Sequence, residues 1–205
     1  MASVVMKNNI ILFVVISGLL FFGCKSPEEK ALALIHDHFF QTMPDFDSYE
    51  SISIKIDSSF SIPFTNKDIM SFAKEHTLLD TINDTRPLML SILPRFKTEY
   101  NTFMKERQDT IKIFQEMLNS CDCSFNGWVV CHKFRFKNEI GQAQVKNEYF
   151  FFDKDITQIV FILDPSDKDY AESCFMIGKI YLPSMEKGEM FLSMFQKILD
   201  MKKDL

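Results

Sequence analysis

The chain has 205 residues, of which 46% are hydrophobic and 25% charged, and its formal net charge is −5. These values are typical of a globular chain that can bury a core. An acidic surface repels phosphate backbones, which argues against a nucleic-acid-binding protein. Lys133, Arg135 and Lys137 form a basic cluster, but they alternate along one predicted strand, as on a solvated sheet face.

Residues 10–22 form an uninterrupted apolar run without charge, preceded by the basic residue Lys7. As a helix, this run spans about 20 Å, which is too short for a bilayer core of about 30 Å. A short apolar run behind a basic residue is typical of a signal peptide. We therefore predict a signal peptide over residues 1–23. Met6 with Lys7 looks like the natural start of such a peptide, so translation could begin at either Met1 or Met6.

The apolar run ends at Gly23 and Cys24, a junction that resembles the lipobox of bacterial lipoproteins. This resemblance implies that the cysteine thiol takes a diacylglyceryl group and that the leader is cut before it. Phe21 and Phe22 depart from the usual lipobox residues, which are Leu at the first position and Ala or Ser at the second. A cleaved secretory peptide with an incidental cysteine is the alternative.

Lipid on Cys24 would anchor the chain durably, because each buried CH₂ contributes about 0.8 kcal/mol. Lys25 follows the cysteine where Asp would favour the inner membrane, so the family rule implies an outer-membrane location, periplasmic or surface-facing. Residues 24–30 are predicted as a lipidated linker. Glu28 and Glu29 are similar to the acidic export tag of surface lipoproteins, although a solvated linker explains them equally well.

The first half of the mature chain alternates helix, strand and helix. Apolar spacing predicts a helix over 28–42, ended by Pro44, and a half-buried strand over 49–57. Thr65 is predicted to cap a second helix. A longer helical stretch follows, and the two together predict an antiparallel helical hairpin over about 65–119.

The second half predicts a sheet over about 125–165. Residues 128–137 alternate strongly, and 144–152 and 156–163 follow after short turns, which predicts an antiparallel meander. Residues 175–182 predict a further strand. An amphipathic helix over about 184–202 closes the chain.

The predicted fold class is therefore α+β, as one domain over residues 31–205. An antiparallel meander sheet packs helices on one face, with the helical hairpin inserted after the first strand. A helix lying across such a sheet resembles cystatin-like or NTF2-like folds, and that likeness carries no function.

Two stretches carry a family resemblance: Asp47 to Ser58, and Phe125 to Asn138 with the later run Tyr149 to Asp155. They resemble a group of short exported proteins of gut Bacteroidales, over roughly residues 30–65 and 125–165. The resemblance implies an envelope setting in Bacteroidota and no particular activity.

Four cysteines remain after the leader, at positions 121, 123, 131 and 174. In an exported protein they permit two disulfides with three connectivities, and Cys121 and Cys123 are too close in sequence to pair comfortably. Free or buried thiols are the alternative. Zinc held by Cys121, Cys123, Cys131 and His132 is a third, although structural zinc sites favour more than one residue between paired cysteines.

Histidines and acids offer weaker candidates. His36 and His38 stand two apart on a predicted helix and so point about 200° apart, which disfavours one shared metal ion. His132 lies on the apolar face of its predicted strand, beside Trp128, as a core histidine or as a ligand or catalytic residue at a surface cleft. Asp153 and Asp155 flank a hairpin tip, where turn chemistry explains them.

The sequence specifies no cofactor, metal or catalytic residue, since it contains no phosphate loop, nucleophile elbow, zincin helix or Rossmann glycine run. A non-enzymatic, lipid-anchored binding or accessory domain for an envelope protein or glycan predicts an apolar patch or groove without converging titratable groups. An envelope hydrolase predicts His132 on a concave surface near a carboxylate or thiol, and full burial of His132 would discard it. A structural spacer predicts a uniformly charged surface without a pocket.

Overall fold

The computed structural model describes residues 25–76, 78 and 97–205. The predicted signal peptide, Cys24 and most of the stretch between the two hairpin helices therefore lie outside the described residues. Within the described ranges, no helix is both long enough and apolar enough to cross a membrane.

Five α-helices and four strands make up the described fold, together with short 3₁₀ and π segments. The four strands form one antiparallel sheet in the order β1-β2-β3-β4, which confirms the predicted α+β meander. In chain order the elements are α1 (Pro27–Thr42), β1 (Glu50–Phe60), α2 (Lys67–Glu75), α3 (Lys97–Asn119), β2 (Phe125–Lys137), β3 (Ala143–Phe152), β4 (Ile159–Leu163), α4 (Lys168–Met176) and α5 (Gly188–Asp200).

Helix α1 begins inside the stretch predicted as a linker. The Ser26 side chain accepts a hydrogen bond from the Glu29 backbone N–H at 3.2 Å, and the Glu29 carboxylate accepts one from the Ser26 N–H at 2.9 Å. This reciprocal capping box, with Pro27 in the first turn, starts the helix. Among the described residues, only Lys25 and Ser26 precede it.

Both faces of the sheet are covered by helices. Successive side chains of β2 point to opposite faces, so Val130 and Phe134 pack under α1, with Ala31, Ile35 and Phe39. Val129 and Cys131 face the other way, into a cluster built with α2, α3, α4 and α5. The layer of α2–α5 matches the predicted helical face, and α1 adds a layer on the opposite face.

The inserted hairpin is formed by α2 and α3, which lie in sequence between the paired strands β1 and β2. The rings of Phe72 and Phe114 stack 6.2 Å apart where these helices pack. Asn66, and not the predicted Thr65, caps α2, because its side-chain oxygen accepts from the N–H groups of Asp68 and Ile69.

The strand predicted over residues 175–182 is wrong. Helix α4 runs to Met176, a π-helical turn follows at Ile177–Tyr181, and a 3₁₀ turn at Leu182–Ser184. Cys174, Ile177 and Tyr181 are buried together at spacings of three and four residues, so one helical face is buried. Packing against the core selected helix for a short apolar run that is ambiguous in the sequence.

Gly127 makes one position of β2 intolerant of a side chain. Its φ is +151°, and a Cβ built there would overlap the carbonyl oxygen of Phe152. We expect Gly127→Ala to lower the free energy of unfolding by about 3 kcal/mol, through backbone strain and displacement of β3. Gly141→Ala is the control: the φ of Gly141 is +76°, but a Cβ built there meets no atom within 4 Å. This substitution should lower the free energy of unfolding by about 1 kcal/mol. Equal denaturant midpoints for the two variants would contradict this expectation.

Candidate functional site

His132 lies in the core and not at a surface cleft. It is 0% exposed in the middle of β2, on the face covered by α1. Its imidazole stacks on the Phe134 ring with centroids 5.3 Å apart and planes 13° apart, and the Phe39 ring of α1 lies 6.2 Å away. Of the two positions considered for His132, the core and a surface cleft, the structure has the core, because α1 closes over this face of the sheet.

Both imidazole nitrogens of His132 are already bonded within the protein. Nδ1 lies 3.3 Å from the Ser53 carbonyl oxygen, which can only accept, so Nδ1 carries the proton. Nε2 lies 2.9 Å from the Tyr49 hydroxyl, and in this tautomer it accepts the hydroxyl proton. No lone pair is left to act as a general base.

The surroundings keep the His132 imidazole neutral. Burial lowers its pKa to about 4, against the opposing effect of the hydrogen bond to Ser53. Glu148 is its cross-strand neighbour on β3, but a Glu148 carboxylate oxygen lies 2.6 Å from the Lys146 ammonium, which also pairs with Asp164 at 2.7 Å. The nearby carboxylate is thus paired with a lysine, and His132 is a structural residue.

Trp128 is half-buried and ties two parts of the sheet together. Its indole N–H donates to the Lys154 carbonyl oxygen at 3.0 Å, which links β2 to the β3–β4 turn. The tip of that turn uses the predicted turn chemistry, because the Asp153 carboxylate accepts from the Thr157 and Gln158 N–H groups.

Stability should depend on pH through His132. Its pKa is about 4 in the folded state and about 6.5 when unfolded, so the unfolded state takes up the proton first as pH falls. The free energy of unfolding should therefore drop by about 1 kcal/mol between about pH 7 and pH 5.5.

His132→Gln should lose this slope in denaturant titrations. Tyr49→Phe is the control, because it removes one hydrogen bond, at a cost of about 1 kcal/mol, but leaves the imidazole buried. A His132→Gln variant with the wild-type slope would contradict the assignment.

The four cysteines do not assemble into a site. All are free thiols, with Cys123 half-buried and the other three buried. Cys131 and His132 are consecutive in β2 and so point to opposite faces of the sheet, which separates two of the four predicted zinc ligands. Among the described residues, no group of three or more His, Cys, Asp or Glu is placed to hold a metal ion.

His36 and His38 point in different directions on α1, as predicted. The His36 ring is exposed and meets the Phe46 ring edge-on at 4.9 Å. The His38 ring is half-buried and meets Phe150 of the sheet at 6.1 Å. Aromatic packing accounts for both side chains.

A groove of about 750 Å³ lies on the opposite side of the sheet from α1. One wall is α4 with the π-helical turn, and the other is α5. Its volume falls in the range of small-molecule sites, about 300–1,000 Å³. The apolar lining includes Phe64, Leu163, Phe175, Leu192, Phe195 and Leu199.

Few titratable side chains line the described part of the groove. At its buried side the Tyr170 hydroxyl donates to the Phe64 carbonyl oxygen, and burial raises the pKa of the Cys174 thiol to about 12. Lys179 and Lys202 are the charged side chains among the described lining residues, and none of those residues is Asp or Glu. The groove therefore has the features of a binding site, and its described lining residues include no Asp, Glu or His.

The sequence does not predict this groove. The sequence shows the amphipathic pattern of α5, with Phe195 and Leu199 on its apolar face, but it predicts a strand over 175–182, which belongs to the opposite wall. Residues as far apart in sequence as Phe64 and Lys202 meet at the groove. No local sequence pattern indicates that they come together.

No family model, no curated protein and no solved structure matches this chain. The resemblances to exported Bacteroidales proteins and to cystatin-like or NTF2-like folds therefore stay predictions.

Proposed function

We propose that this chain is a lipid-anchored protein of the bacterial envelope, in the outer membrane, whose domain binds an apolar ligand without catalysing a reaction. The observation that carries the binding role is the apolar groove between α4 and α5, whose described lining residues include no Asp, Glu or His. Its apolar lining favours an apolar ligand or protein segment over a glycan.

The position of α1 supports an anchored domain with a free groove. Cys24 stands two residues before Ser26, the N-cap of α1, so a lipid on it would join the fold almost directly. Helix α1 covers one face of the sheet, and the groove lies among the helices of the other. A lipid at the start of α1 is therefore compatible with access to the groove.

The two rival functions fit the described residues less well. The hydrolase required His132 at a concave surface, and His132 is buried with both nitrogens bonded. A spacer would have a uniformly charged surface without a pocket, whereas the groove is large and apolar.

The anchor is tested by Cys24→Ser in the full chain. We expect the wild-type protein to stay in carbonate-washed membranes and the variant to lose that resistance, because acyl chains supply the binding energy. Intact-mass measurement should find acyl mass on a chain that begins at Cys24. Cys123→Ser is the control and should behave as wild type. Carbonate-resistant retention of the Cys24→Ser variant would refute the anchor.

The binding role is tested by filling the groove. Ala171 is an exposed residue of α4 that lines the groove, so Ala171→Trp places a large side chain there without disturbing the core. We expect it to weaken binding of phenylnaphthylamine, a neutral apolar dye, by about tenfold in fluorescence titrations. Ala33→Trp, at an exposed position of α1, is the matched control. Identical dye affinities for the two variants would argue against binding in this groove.

A further inference from the structure

The mouth of the groove exposes large apolar side chains on both walls. Phe175 of α4 is 62% exposed and Leu192 of α5 is 40% exposed, and both line the groove. Further in, the rings of Phe64 and Phe195 stack 4.5 Å apart. Exposed apolar side chains that continue into an aromatic-lined cavity are typical of a site for an apolar ligand.

The charges at the groove have one sign. Lys179 lies on the π-helical turn with its ammonium 5.4 Å from the Phe175 ring centroid, and Lys202 lies on the 3₁₀ turn after α5. No acidic side chain stands among the described lining residues. The groove is therefore apolar along its length and positive at its charged positions.

Four acids stand next in sequence to a lining residue: Asp164, Asp169, Glu172 and Asp200. The Asp169 carboxylate is 3.5 Å from the Lys74 ammonium, and Glu172 is exposed and does not line the groove. Asp164 lies between two lining residues, but its carboxylate is 2.7 Å from the Lys146 ammonium. Asp200 follows Leu199, and its carboxylate is 2.6 Å from the Lys203 ammonium. The three lysine pairings reduce the negative field of Asp164, Asp169 and Asp200 at Lys179 and Lys202.

This combination selects for one kind of ligand. An apolar chain can enter the groove, and a negative head group complements the two lysines, whereas a positive head group is repelled. A volume of about 750 Å³ suits a single small molecule. We infer that the groove binds single-chain amphiphiles with an anionic head, of which a long-chain carboxylate is the simplest. The inference rests on the proposed function, in which this groove is the ligand site.

Photocrosslinking tests the inference on the full chain in its own membranes. The probe is a dodecanoate that carries a diazirine, and tandem mass spectrometry locates the labelled residues. We expect label on α4 and α5 peptides that line the groove. Unlabelled dodecanoate should compete more strongly than dodecanol, and dodecyltrimethylammonium should compete least.

A double substitution removes the charges and leaves the groove open. Lys179→Gln with Lys202→Gln should reduce groove labelling by about threefold to tenfold, as expected for loss of charge-assisted contacts at exposed lysines. Lys112→Gln with Lys168→Gln is the matched control, since both lysines are exposed and neither lines the groove. Resistance to a protease should confirm that each variant folds.

The outcomes separate this inference from the proposed binding role. Groove labelling that is anion-selective and reduced in the Lys179/Lys202 variant supports the inference. If dodecanol and dodecyltrimethylammonium reduce groove labelling as strongly as dodecanoate does, the anionic selectivity is overturned and an apolar binding groove remains. Absence of label from the groove overturns both.

Discussion

The whole fold depends on a central strand that is apolar on both faces. In β2, Val129 and Cys131 are 0% exposed on one side, and Val130 and His132 are 0% exposed on the other. A strand of this kind requires cover above and below the sheet, because each face buries apolar surface. Helix α1 provides one layer and α2–α5 provide the other. The same constraint makes His132 a neutral core residue and directs Cys131 away from it.

The groove arises from the way the second layer is assembled. Helix α4 passes into a π-helical turn at Ile177–Tyr181, and α5 returns beside it after a 3₁₀ turn. Gly178 of that turn lies close to Leu192 of α5: a Cβ built on it would be 3.2 Å from a methyl carbon of Leu192. The two walls of the groove therefore approach each other closely at Gly178 and Leu192. Both residues line the groove, whose volume is about 750 Å³. π-Helical turns are frequent at functional sites.

Much of the fold could be predicted from the sequence, because its signals are local. The alternation in 128–137 identifies β2, and the proline after residue 42 ends α1 where the structure ends it. The run at 175–182 was wrongly assigned to a strand, since a short apolar stretch fits strand and helix equally and long-range packing decides. The groove was not predictable for a related reason: Phe64 and Lys202 are distant in sequence and meet only in the folded chain. His132 was correctly suspected as a core residue from its apolar neighbours, but its bonds to Tyr49 and Ser53 depend on the register of β1.

The capping box at Ser26 limits how far the folded domain can stand from a lipid on Cys24. With α1 starting at Pro27, an acylated Cys24 would be joined to the rigid body by only Lys25 and Ser26. Extended residues reach at most about 3.5 Å each, so this linker is on the order of 10 Å long. The folded domain would lie against the lipid head groups of its own leaflet and could not reach further from the membrane. It would then meet only molecules that come to, or leave from, that lipid surface.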